Sequence, residues 1–216
     1  APPNIVIAYG EQANLYAELG MYDRALELNS KAQYYSLLKD SFGLGDLYRY
    51  RAAIFGQTGI KDSIFYYLNQ AEKISALQGS FKGVFVNKVT TVEAYLEYPD
   101  SVQKALTLAL SVCPDSSRMP QWAKYELELH LGRALLQTGK ATQGIPLIEK
   151  ATQGFIKMDM KSREQKANDI LMDYYLDMNM KDAFIRCYRR SQTFTDSLNL
   201  AEKMRAVAAA NIRFDT

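Results

Sequence analysis

The chain has 216 residues, 48% hydrophobic and 23% charged, a balance that excludes a disordered or fibrous protein. Its 26 Lys+Arg against 24 Asp+Glu leave a net charge of +2, too even for the basic footprint of a nucleic-acid binder. One His and two Cys supply no ligand set for the usual zinc sites and no spare histidine for a Ser–His–Asp triad, so no metal and no cofactor are expected.

No apolar run approaches the roughly 20 residues that span a bilayer, so no membrane contact is expected within the chain. Ala1-Pro2-Pro3-Asn4 carries neither an initiator Met nor a signal-peptide pattern, and the chain is expected to be a processed form or an excised fragment. Cys113 and Cys187 do not make a disulfide framework.

Apolar spacing predicts helices over 4–18, 22–38, 43–57, 61–77, 81–96, 100–113, 120–137, 142–157, 162–177, 181–194 and 196–213. No strand is predicted. Turns with a left-handed cap residue fall at Gly20, Gly59, Gly139 and Asn179, separated by 39, 80 and 40 residues. The double gap implies a further turn near 99, where Tyr98-Pro99-Asp100 stands. The chain therefore reads as five units of about 40 residues, each a helix, a short turn and a second helix. Cys113 to Pro120 is the longest break and reads as a link within one solenoid, because the phase survives across it. Pro146 is expected in the first turn of its helix, where a missing N–H costs little.

Side chains repeat with the turns. Four residues before each turn stand Tyr16, Phe55, Tyr95, Leu135 and Tyr175, all large. Twelve after stand Ala32, Ala71, Ser111, Ala151 and Ser191, all small. Nine after stand Asn29, Leu68, Leu108, Ile148 and Tyr188, and seven before stand Ala13, Ala52, Val92, Gly132 and Met172. Large against small is what two antiparallel helices need to interlock at close range.

On these residues the chain resembles the tetratricopeptide repeat (TPR) family. Leu131-Gly132, Leu135, Gly139, Ile148 and Ala151 carry the likeness, as do Ala13, Tyr16, Gly20, Tyr22, Ala25 and Ala32. The early aromatic is kept as Tyr9 and Tyr48 and replaced by Lys88, Glu128 and Asn168, and the period exceeds the family's 34 residues. The resemblance implies an all-α, right-handed α–α superhelix: five hairpins over 1–195 and a capping or connector helix over 196–216, forming one solenoid.

By the same resemblance, ligands are expected on the concave surface made by the first helix of each hairpin. Its polar members would be Asn14, Glu18, Asp46, Arg49, Gln57, Glu93, Glu97, Glu126, Arg133, Gln137, Lys166, Asp169, Asp173 and Asp177. Asn14, Arg49, Gln57, Glu93, Glu126, Arg133, Gln137, Asp169 and Asp173 are the binding residues singled out. The set mixes signs and lacks the run of Lys and Asn with which family members clamp a C-terminal carboxylate.

Other residues invite chemistry and have plainer accounts. Tyr16, Tyr95, Tyr175 and Tyr188 fall on the repeat frame and are expected in the core. His130 stands alone among Glu126, Glu128 and Arg133, with no second His or Cys to share a metal. Asp169, Asp173 and Asp177 step along one helical stripe, either a solvated face or a ligand contact.

The tail from Thr195-Asp196-Ser197-Leu198 to Glu202-Lys203-Met204 reads as a cap for the last hairpin. It is also similar to the join in repeat-containing bacterial membrane regulators, which implies an extracytoplasmic sensor with a membrane anchor following Thr216. The leading functional reading is a non-catalytic scaffold that binds a protein or peptide. A structural assembly factor using convex or terminal surfaces stands as the alternative, and an α-helical hydrolase or lyase around Glu126, His130 and Asp173 as a third.

Overall fold

The computed structural model describes residues 4–38 and 43–189. The helix expected over 196–213 and the small residue expected at Ser191 lie outside the described residues. Among those described, every regular element is a helix: α1 (Asn4–Glu18), α2 (Tyr22–Leu37), α3 (Leu44–Thr58), α4 (Lys61–Leu77), α5 (Phe81–Leu96), α6 (Val102–Val112), α7 (Gln121–Gln137), α8 (Ala141–Lys157), α9 (Lys161–Asp177) and α10 over 181–189. Two compact units divide the chain, Ala1–Met119 and Pro120–Thr216. Their boundary falls at the end of the longest break in the sequence pattern, after a 3-10 turn over Cys113–Arg118.

The turns make the hairpins. Gly20, Gly59, Gly139 and Asn179 all have φ between 54° and 76°. In each case the left-handed residue donates three residues back and its successor five residues back: Gly59 N to Gly56 O at 3.3 Å, Ile60 N to Phe55 O at 3.2 Å. This double bond satisfies carbonyls that the helix end would otherwise leave without donors. The acceptor of the longer bond is the residue four before the turn, so the large side chain repeated there belongs to the turn as well as to the packing. A second series joins one hairpin to the next. Gly79 (φ 64°) and Asp159 (φ 53°) close α4 and α8 with the same pair of bonds.

The third hairpin has no left-handed residue, and this moves its register. Tyr98 N donates to Tyr95 O at 3.1 Å and Ser101 N to Tyr98 O at 2.8 Å, a 3-10 turn over Pro99–Ser101. The turn takes one extra residue, so α6 begins one position late. Val112, buried to 2%, fills the place expected of Ser111, which is exposed, and Ala109 fills that of Leu108. Three other expectations are corrected. Of the four tyrosines expected in the core, only Tyr175 is buried; Tyr16 and Tyr95 are half-buried and Tyr188 is 45% exposed. In α9 it is Leu171 that is buried, with Met172 half-buried. Pro146 is the sixth residue of α8, because that helix starts at Ala141, so it removes one internal N–H donor instead of sitting in the first turn.

Within each unit the small residues do what close packing asks. Ala13, Ala32, Ala71 and Ala151 are fully buried and Ala52 almost so. The core of the second unit joins Leu129, Ile148, Ala151, Phe155, Ala167, Leu171 and Tyr175. Burying Phe155 completely contributes roughly 1.5–3 kcal/mol. In the first unit Asn29 takes a position that is otherwise apolar, and its amide is satisfied: Nδ2 donates to Leu47 O at 3.0 Å and Oδ1 accepts from Gln33 at 2.5 Å. A buried amide costs little only when so paired.

Candidate functional site

First helices lie side by side within each unit, α1 against α3 and α3 against α5, and α7 against α9. In the first unit, Asn14 on α1 and Glu93 on α5 are half-buried, while Gln57 near the end of α3 is exposed. Arg49 on α3 is half-buried, with Nη2 2.8 Å from Asp46 Oδ1 and its guanidinium 4.9 Å from the Tyr50 ring centroid. An Arg fixed by a carboxylate and an aromatic ring loses less side-chain freedom when it meets a partner. Ala53 and Gly56, exposed between these polar groups, leave the middle of α3 without bulk.

The second unit distributes its candidates differently. Glu126 is 5% exposed and paired, its carboxylate 2.9 Å from Arg163 Nη1 and 3.5 Å from His130 Nε2. It ties α7 to α9 from inside. His130 is fully buried beside it. Arg133 is half-buried and Gln137 exposed on the last turn of α7. On α9, Asp169 is half-buried and Asp173 exposed. Burial holds the Asp169 carboxyl above the usual carboxylate range, and the like charge of Asp173 adds to the rise. Glu128 pairs with Lys150 of α8 at 2.5 Å.

Open clefts lie elsewhere, two of them between second helices and a third of about 500 Å³ on α1 and α2 beside Tyr9, Ser30 and Tyr35. One of about 470 Å³ runs between α4 and α6, lined by Asn69, Glu72, Lys73, Thr91, Tyr95 and Leu108 among others. Another of about 660 Å³ lies between α8 and α10, lined by Glu149, Thr152, Leu171, Tyr175, Arg186 and Cys187 among others. Neither was visible in the sequence pattern, which marks their floor residues as core. Among the described residues no helix is long and apolar enough to cross a membrane.

Solved structures resemble the chain over most of its length. A Podosopora anserina protein with nearly identical TPR-like repeats matches over 90% of this chain and 98% of its own, at 16% identity and TM-score 0.60. A signal transduction ATPase with numerous domains and a tetratricopeptide repeat sensor, from Pyrococcus horikoshii, matches over 92% of this chain at 16% identity and TM-score 0.63. This chain spans 30% of that protein's length. The fold is TPR-like. A third structure, BtubC from P. vanneervenii, matches 71% of this chain and 64% of its own at 17% identity and TM-score 0.55. No protein-family model and no curated protein matches the chain. At these identities the likeness establishes an all-α TPR-like solenoid fold, and function has to be argued from the faces.

Proposed function

We propose that the chain is a non-catalytic scaffold that binds a protein or peptide segment on the faces made by its first helices. The observation that carries this reading is the α3 face. There Arg49 is held between Asp46 and Tyr50, next to exposed Ala53, Gly56 and Gln57, with Asn14 and Glu93 on the adjoining helices. Polar groups of both signs around a shallow strip of small residues suit a peptide backbone with mixed side chains. A polyanion would meet too little positive charge there. In the second unit, Arg133, Gln137, Asp169 and Asp173 are the corresponding candidates, while Glu126 is committed to its internal pairs.

Selection of a random dodecapeptide library on the full chain tests the reading. Selected peptides should lose tenfold or more in affinity, roughly 1.4 kcal/mol, when Arg49 and Arg133 are both replaced by Glu. Peptides that bind the double variant as tightly as the parent chain would refute the first-helix face. The sensor form of this proposal rests on the likeness at Asp196-Ser197-Leu198 and Glu202-Lys203, which lie outside the described residues.

A further inference from the structure

Second helices of successive hairpins leave a furrow between them, floored by the first helix in between. Three such furrows lie wholly inside a unit: α2/α4 over α3, α4/α6 over α5 and α8/α10 over α9. The first is filled by the chain itself. Arg51 of α3 crosses it, donating from Nη1 to Ser30 Oγ of α2 at 2.8 Å, with its guanidinium 5.2 Å from the Tyr67 ring centroid of α4. Asn29 Oδ1 lies 3.5 Å from the same nitrogen.

The other two furrows are built at the same repeat positions without the arginine. Arg51 stands eight residues before the turn residue Gly59, and the residues eight before Pro99 and Asn179 are Thr91 and Leu171. Both are too short to cross the gap, and both line the open clefts. The acceptor survives. Ser30 stands ten residues after Gly20, and ten after Gly59 and Gly139 stand Asn69 and Glu149. The ring that Arg51 meets, Tyr67, stands eight after Gly59 and is replaced by Thr107 and Cys187 eight after Pro99 and Asn179; the open clefts offer instead the floor rings Tyr95 and Tyr175, four before their turns. Glu72 adds a carboxylate to the α4/α6 furrow.

We propose that the α4/α6 and α8/α10 furrows each receive an arginine side chain of a partner protein, in the place that Arg51 fills between α2 and α4. The internal copy shows that this geometry accepts a guanidinium across the gap. The open copies offer carboxylates, Glu72 and Glu149, where the internal copy offers a serine hydroxyl, and a carboxylate adds an opposite charge and a bidentate geometry for a guanidinium. Cations also line the clefts, Lys73 in the α4/α6 furrow and Lys150 and Arg186 in the α8/α10 furrow. Lys150 is engaged by Glu128, and Lys88 is 3.9 Å from Glu72, at the outer limit of an ion pair. Lys73 and Arg186 stand exposed on the rims. Burial and the neighbouring Glu149 hold the Tyr175 phenol above its ordinary range, so it stays a neutral hydrogen-bonding ring under the incoming cation. Arginine fits better than lysine, since its flat guanidinium can lie on a ring while it bonds sideways.

This inference rests on the scaffold reading but uses the opposite helices, so the two can fail separately. The test is an NMR titration of the ¹⁵N-labelled full chain with the blocked tripeptide Gly-Arg-Gly and its citrulline counterpart, which has nearly the same shape and no charge. Saturable shifts are expected at Asn69, Thr91 and Leu108 and at Leu171 and Ala183, with at least threefold weaker binding of the citrulline peptide. Glu72→Gln should remove the first set alone, and Glu149→Gln the second alone. Thr91→Arg should plug the α4/α6 furrow as Arg51 plugs its neighbour, while Arg51→Thr should open a third site at Ser30 and Tyr67. Equal binding of the two peptides, no saturable shifts, or shifts that persist in both carboxylate variants would overturn the proposal. Arg49→Glu should leave these shifts unchanged; their loss in that variant would place the arginine on the first helices instead.

Discussion

Gly132 on α7 and Gly144 on α8 meet backbone to backbone. A Cβ on Gly132 would stand 2.8 Å from Gly144 O and 2.6 Å from Ile148 Cγ1, and one on Gly144 would stand 2.6 Å from Gly132 O. This reciprocal contact sets how closely the two helices of the fourth hairpin approach. Alanine in a helix is ordinarily favoured over glycine by about 0.5–1 kcal/mol. Here the clash outweighs it, and Gly132→Ala and Gly144→Ala should each destabilise by about 1–3 kcal/mol in urea unfolding. Gly56 on α3 is the control, since nothing lies within 4 Å of its added Cβ. Gly56→Ala should stabilise by about 0.5–1 kcal/mol.

Ala71 and Ala151 are fully buried at the small positions of the second and fourth hairpins. Ala71→Leu and Ala151→Leu add three heavy atoms where no volume exists, and each should cost about 1–3 kcal/mol. Thermal unfolding that left both midpoints unchanged would mean that these sites are not tight contacts.

Most of the fold was legible because two local signals agree. Apolar spacing placed α1 to α5 and α7 to α9 within one residue at each end, and Gly20, Gly59 and Gly139 marked where α1, α3 and α7 stop. The second turn series was missed, although Gly79 and Asp159 stand 80 residues apart, because only one of its two cap residues is a glycine. The slip in the third hairpin was readable from α6 alone, where Ala105, Ala109 and Val112 form their own stripe. A frame carried over from the preceding glycines hid it. The burial of Glu126 could not be read, because its partner Arg163 is 37 residues away and outside any helical spacing. The furrows emerge only once second helices of different hairpins are placed side by side.

Asp159 and Asn179 adopt left-handed backbone that glycine adopts without a Cβ penalty. Asp159→Gly and Asn179→Gly should therefore remove strain, but each also loosens the unfolded chain. Asparagine tolerates this conformation better than aspartate. The expected order is a gain of a few tenths to about 1 kcal/mol for Asp159→Gly and a smaller change for Asn179→Gly. A loss at Asp159 in chemical denaturation would show that its side chain supports the α8–α9 turn.

Stability should depend on pH through Asp169. Its carboxyl is held above the ordinary range, first by burial and then by the charge of Asp173. The folded state thus binds the proton more tightly than the unfolded chain does. The sign follows by linkage: this group's contribution is fully present below the unfolded pKa of about 3.9 and is lost as pH rises through the higher folded value. At pH 7 the ionised Asp169 therefore opposes folding. Asp169→Asn should raise the melting temperature at pH 7, and the gain over the parent chain should shrink as pH falls toward 4. Asp173→Asn should act in the same direction and by less, because it removes only the second cause. A melting temperature for Asp169→Asn that is unchanged at pH 7, or a gain that grows on acidification, would contradict this assignment.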